Sequence, residues 1–91
     1  MNKQRRKEIE RIIADLTTTI AQAVDQAKTD IEMVRDEEQD SYDNMPESFQ
    51  EGEKGERAQV AIDALESAVS ELEEIEGSVE NAVNSLNEAM E

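Results

Sequence analysis

The sequence predicts an all-α fold: a long antiparallel helical hairpin that assembles into a homo-oligomeric bundle, most simply a dimeric four-helix bundle. Three observations carry this. In the second half, Ala58, Ala61, Leu65, Ala68, Leu72, Ile75, Val79, Ala82, Leu86 and Ala89 step by threes and fours without a slip, and Ile62, Val69, Val83 and Met90 form a neighbouring column interrupted by Glu76. In the first half, Ile9, Ile13, Leu16, Ile20, Ala23/Val24, Ala27, Ile31 and Val34 form a second apolar face. Between the two lies one cluster of helix breakers, Asp43-Asn44-Met45-Pro46.

The elements follow in order. A first helix spans about residues 3–43, a turn about 44–52 and a second helix about 53–90, all within a single domain, 1–91. The apolar phase of the first helix drifts after Ala27, where Asp30 takes the strict heptad position and Ile31 replaces it. That drift predicts a period nearer 3.6 than 3.5 and weak supercoiling. At the turn, Asn44 suits a left-handed cap and Pro46 drives Met45 out of helical geometry. Ser48-Phe49-Gln50-Glu51 matches a capping box, while Gly52 and Gly55 weaken the next turn, so the second helix begins securely near Glu53.

Each helix presents more apolar columns than one partner helix covers, and a chain of 91 residues in this form buries little core. The remaining face is therefore expected to meet a second copy, with Ile13, Leu16, Ile20, Leu65, Leu72, Ile75, Val79 and Leu86 in the oligomer core. The small column of Ala61, Ala68, Ala82 and Ala89 predicts one close helix approach.

Composition excludes much chemistry. There is no Cys, His or Trp, and Tyr42 and Phe49 are the only aromatics. Disulfides, His- or Cys-based metal and haem sites, and catalytic triads are ruled out. Acid pairs such as Glu37/Asp40, Glu53/Glu56, Glu71/Glu74 and Glu73/Glu76 have the spacing of magnesium-binding helices, but 24 acids in 91 residues produce such pairs freely. No enzyme activity, metal or cofactor is expected. No apolar run approaches the roughly 20 residues that span a bilayer. The basic start lacks the apolar stretch of a signal peptide, so the expected location is the cytoplasm.

Charge is distributed unevenly. Residues 1–35 hold 7 bases and 6 acids, and residues 36–91 hold 2 bases and 18 acids, for a net charge of −15. Lys3, Arg5, Arg6, Lys7 and Arg11 crowd the first turns of helix one, at the dipole end that prefers acids. Such a head suits an anion, since amides, dipole and guanidinium groups all favour phosphate or carboxylate. In a head-to-tail pair of hairpins it would lie beside the neighbour's turn. The expected ligand site is then Lys3, Arg5 and Arg6 from one chain with Tyr42, Asn44 and Ser48 from the next. Tyr42 and Phe49 equally suit plugs that close the bundle end.

The runs Asn2-Lys3-Gln4-Arg5-Arg6-Lys7, Asp36-Glu37-Glu38-Gln39, Tyr42-Asp43-Asn44-Met45-Pro46-Glu47-Ser48, Gly55-Glu56 and Ala61-Ile62-x-x-Leu65 resemble short acidic proteins of phages and prophages of Gram-positive bacteria. The resemblance covers nearly the whole chain, and departs at Gly52, where those proteins usually carry Ser. It implies an accessory protein that binds something of the host, its antiviral defence included. Two functions stay open beside it: sequestration of an anionic, nucleotide-type signal in inter-subunit pockets, or an acidic surface that imitates nucleic acid or acts as an adaptor and inhibits a basic host protein. Neither involves direct binding of nucleic acid or membrane.

Overall fold

The computed structural model describes residues 1–91 and is all-helical, without strands. In chain order it comprises α1 (Lys3–Asp15), a π-helical turn (Leu16–Ile20), α2 (Ala21–Asp43), the short α3 (Glu47–Gln50) and α4 (Glu53–Ala89). Its contacts group into two compact units: Met1–Gln26 with Leu72–Glu91, and Ala27–Glu71.

The first unit packs α1, the π-helical turn and the start of α2 against the C-terminal part of α4. Ile9, Ile13, Leu16, Ala21 and Val24 are half-buried, as are Leu72, Val79, Val83 and Leu86 on α4. Leu16 and Ala21 are five residues apart rather than the three or four of an α-helical face, and the π-helical turn lies between them. There the Ala21 N–H donates to the Leu16 carbonyl, a bond one residue longer than in an α-helix. The cause is local. Thr17-Thr18-Thr19 is a run of β-branched residues with weak helix preference. Two of its hydroxyls donate to the carbonyls one turn back, Thr17 Oγ1 to Ile13 O at 2.8 Å and Thr18 Oγ1 to Ala14 O at 2.6 Å.

The inserted residue also accounts for the phase drift in the apolar pattern. A continuous α-helix would carry the Ile9–Ile13–Leu16 face on to Ile20, Ala27 and then Asp30. With one residue inserted, Ala21, Val24 and Ile31 are half-buried together with Ala27, which both phases share, while Ile20 is 41% exposed and Asp30 stays in solvent. The drift is thus a discrete one-residue step, rather than the gradual 3.6-residue period expected above.

In the second unit α2 runs to Asp43, and the chain returns through α3 into α4. Two expectations about this turn are corrected. Asn44 is not left-handed, since no residue has positive φ; its N–H donates to the Asp40 carbonyl at 3.0 Å, extending the helical pattern by one residue. Nor does Ser48 cap a helix. It lies inside α3, whose N-cap is Pro46 at φ −56° and ψ 147°. The Pro46 carbonyl accepts from the N–H groups of Phe49 (2.8 Å) and Gln50 (3.0 Å). Proline begins the helix earlier than the serine could, because its fixed φ already suits the first turn.

The buried residues of this unit are Gly55, Ala58, Ile62 and Val69, all on α4. Beyond Val69, half-buried Leu72, Glu76, Val79, Val83, Leu86 and Met90 continue the same three-four step. The innermost column of α4 is therefore the one containing Ile62 and Val69. The column Ala61, Ala68, Ile75, Ala82, Ala89 lies on its flank: Ala61 and Ala68 are half-buried, Ala82 and Ala89 exposed, and Ile75 is 46% exposed. Gly55 permits the tightest approach. A Cβ built on it would sit 1.9 Å from the Gln50 carbonyl oxygen.

Candidate functional site

The basic head begins at Asn2, which has extended geometry (φ −81°, ψ 168°) and caps α1. Its Oδ1 accepts from the Arg5 N–H at 2.8 Å, and its carbonyl accepts from the Arg6 N–H at 3.2 Å. The cap satisfies one of the free amides that an anion would otherwise meet, leaving the cationic side chains to supply the attraction. Lys3, Arg5, Arg6 and Lys7 are all exposed, and the first turn of α1 contains no acid. Arg11 is different: it bridges Glu8 and Asp15, each at 3.3 Å, so it is engaged along its own helix. The contrast with α4 is informative. That helix opens on Glu53 and Glu56, the arrangement the dipole favours, and α1 opens on bases.

The turn carries the other expected ligand residues. Tyr42 is half-buried, and its carbonyl accepts from Gln50 Nε2 at 2.9 Å and from the Met45 N–H at 3.1 Å. Asn44 and Ser48 are exposed. Phe49 is also exposed, with Lys54 Nζ 5.3 Å from its ring centroid. Gln50 is the organising residue here, holding the end of α2 through its side chain while Gly55 packs on its backbone. The sequence pattern gave no weight to Gln50. Only the run of Gly52 and Gly55 just after it hints at a close approach.

Lys3, Arg5 and Arg6 belong to the first unit, and Tyr42, Asn44 and Ser48 to the second. Within each unit the residues are neighbours by sequence, on one helical turn and on one connection respectively. Of the expected oligomer core, Ile13, Leu16, Leu65, Leu72, Val79 and Leu86 are half-buried along the intrachain seam, whereas Ile20 and Ile75 face solvent.

A groove in the first unit, about 500 Å³ in volume, was not anticipated. Ala21, Val24, Val79 and Val83 line it together with Thr17 and Gln22, and Asp25, Glu76 and Glu80 add carboxylates. Glu76 Oε1 is withdrawn from solvent. Three carboxylates over an apolar lining repel phosphate, so the groove is not the place for an anion. No cluster of acids has the arrangement needed to hold a metal ion.

The fold and this surface define an all-helical protein, no helix of which is long and apolar enough to cross a membrane. No protein-family model, curated protein or solved structure matches the chain.

Proposed function

We propose that the chain is a non-catalytic accessory protein of the phage type, acting as a homo-oligomer that sequesters an anionic, nucleotide-type signal of host defence. The observation that carries this reading is the exposed head: Lys3, Arg5, Arg6 and Lys7 on a helix whose first turn lacks any acid. Clustered cations at the positive end of a helix dipole are locally unfavourable, and a bound phosphate reverses that sign. The half-buried Tyr42 ring and the exposed Asn44 and Ser48 of a neighbouring chain supply stacking and hydrogen bonding.

The acidic-decoy reading rests on the polar face of α4, where Asp63, Glu66 and Glu71 line a shallow, open depression. One experiment separates the two. Protein recovered from phage-infected cells is weighed by native mass spectrometry, as wild type, Arg5→Ala and Tyr42→Ala. The sequestration reading expects a retained anionic small molecule on the wild type alone, with oligomer mass and melting temperature unchanged in both variants. A bare wild-type protein, or a host protein retained equally by all three, overturns it in favour of the acidic surface.

A further inference from the structure

We infer that the groove beside the π-helical turn is a binding site for a linear aliphatic polyamine. All of its lining residues, from the π-helical turn, the start of α2 and the C-terminal part of α4, lie within the first unit. The site is independent of the basic head and of opposite sign.

The π-helical turn makes the groove. An unbroken α-helix would set Ile20 on the seam, and the extra residue sets Ala21 there instead. Exchanging a large side chain for a small one leaves room, and a groove of about 500 Å³ opens beside Ala21, Val24, Val79 and Val83. That is within the roughly 300–1,000 Å³ of small-molecule sites. Insertions of this kind recur at functional sites.

Glu76 sets the sign of the ligand. The innermost column of α4 reads Ile62, Val69, Glu76, Val83 and Met90, so the acid takes a place that is otherwise apolar throughout. Its side chain is half-buried, with Oε1 withdrawn from solvent. A carboxylate there costs stability that a valine would not, a local rule broken without gain to the fold. Asp25 and Glu80 join it, and no Lys or Arg lines the groove. The bases of the first unit all lie within Lys3–Arg11, and Leu72–Glu91 carries none.

The lining also sets the ligand's form. Alanine and valine side chains receive methylenes, and the carboxylates receive ammonium groups. Glu76 and Glu80 stand one turn apart on α4, with Cβ atoms about 5–6 Å from each other. Two ammonium groups joined by four methylenes match that spacing. From Glu76 to Val83 the groove is about 10 Å long at 1.5 Å per residue, the reach of a short polyamine and less than that of a bound peptide helix. A metal ion is disfavoured, because no cluster of acids is arranged to hold one. A neutral apolar ligand would desolvate Glu76 and Glu80 and return no hydrogen bond.

The test titrates spermidine into the full-length protein at physiological ionic strength, followed by amide NMR shifts and calorimetry. Magnesium, 1,4-butanediol and a lysine-rich amphipathic peptide are titrated in parallel. The proposal expects saturable binding of one spermidine per chain, with shifts centred on residues 17–25 and 76–83. Glu76→Gln and Glu80→Gln should each weaken binding about tenfold, by loss of a charge-assisted hydrogen bond. Ala21→Leu fills the groove at unchanged charge and should abolish binding, whereas Glu66→Gln, elsewhere on α4, should leave it unchanged. Circular dichroism checks that each variant folds, and the exposed Glu80 keeps the test sound should a groove variant fail. Displacement by magnesium at equal charge, or equal weakening by Glu66→Gln, means diffuse attraction to an acidic chain and overturns the site. Equal binding of 1,4-butanediol, or of the peptide where spermidine does not bind, overturns the ligand class. The same shifts on raising protein concentration alone mean that a second copy fills the groove, and overturn the proposal. So does an absence of saturation at millimolar spermidine.

Discussion

Gly55 and Gly77 invite the same substitution with opposite outcomes. Both lie within α4, where glycine is about 1 kcal/mol less favourable than alanine, so Gly→Ala should stabilise the helix if nothing else changes. At Gly77 nothing lies within 4 Å of the added Cβ. Gly77→Ala is therefore expected to raise stability by about 0.5–1 kcal/mol. At Gly55 the added carbon would sit 1.9 Å from Gln50 O, 2.5 Å from Gln50 C and 2.7 Å from Gln50 Cα. Ordinary contact begins near 3.4 Å, so the backbone of Gln50 has to retreat by about 1.5 Å. The retreat strains α3 and pulls Gln50 Nε2 from the Tyr42 carbonyl, which it reaches at 2.9 Å. Overpacking of this kind costs about 1–3 kcal/mol and the hydrogen bond about 1 kcal/mol more, against a helix gain of about 1 kcal/mol. The net is a loss of about 1–3 kcal/mol. Thermal melts followed by circular dichroism at one fixed protein concentration test both, because any association would make the midpoint concentration-dependent. At about 4–8 °C per kcal/mol, the two variants should melt on opposite sides of the wild type. A Gly55→Ala protein melting at or above the wild type would show that the turn does not pack as described.

Deleting Thr18 removes the one extra residue of the π-helical turn and restores a three-four step from Leu16 into the half-buried residues that follow. The deletion should keep helicity and melting temperature by circular dichroism, whereas deleting Ser70 from α4 should lower both by slipping the register; equal damage from the two refutes the insertion. Leu72→Asp puts a charge on the half-buried seam and should cost roughly 2–4 kcal/mol, read as lost helicity and size; an unchanged profile on gel filtration removes Leu72 from the core. Arg5→Glu with Arg6→Glu should weaken association, most strongly at low ionic strength. Tighter association of that double variant, measured by sedimentation, rules out the head-to-tail arrangement.

The all-helical fold was legible because unbroken three-four spacing over α4 has no β-strand or loop equivalent. The step in the first half was legible only as a drift. Ile20 and Ala23 would serve a seam nearly as well as Ala21 and Val24, so apolarity alone does not choose between the phases. Asp30 and Ile31 choose, and the three consecutive threonines are the local mark of where the step falls. Ser48 misled for a different reason: its spacing to Glu51 fits a capping box, but Pro46 already supplies helical φ two residues earlier. The closeness of Gly55 to Gln50 is a tertiary fact and leaves no periodic trace. For the site, the cationic head was plain from the sequence, but the cap that Asn2 places on it was not read there. Which residues organise the turn was not, because the Gln50 side chain bonds to backbone that any residue at position 42 would provide.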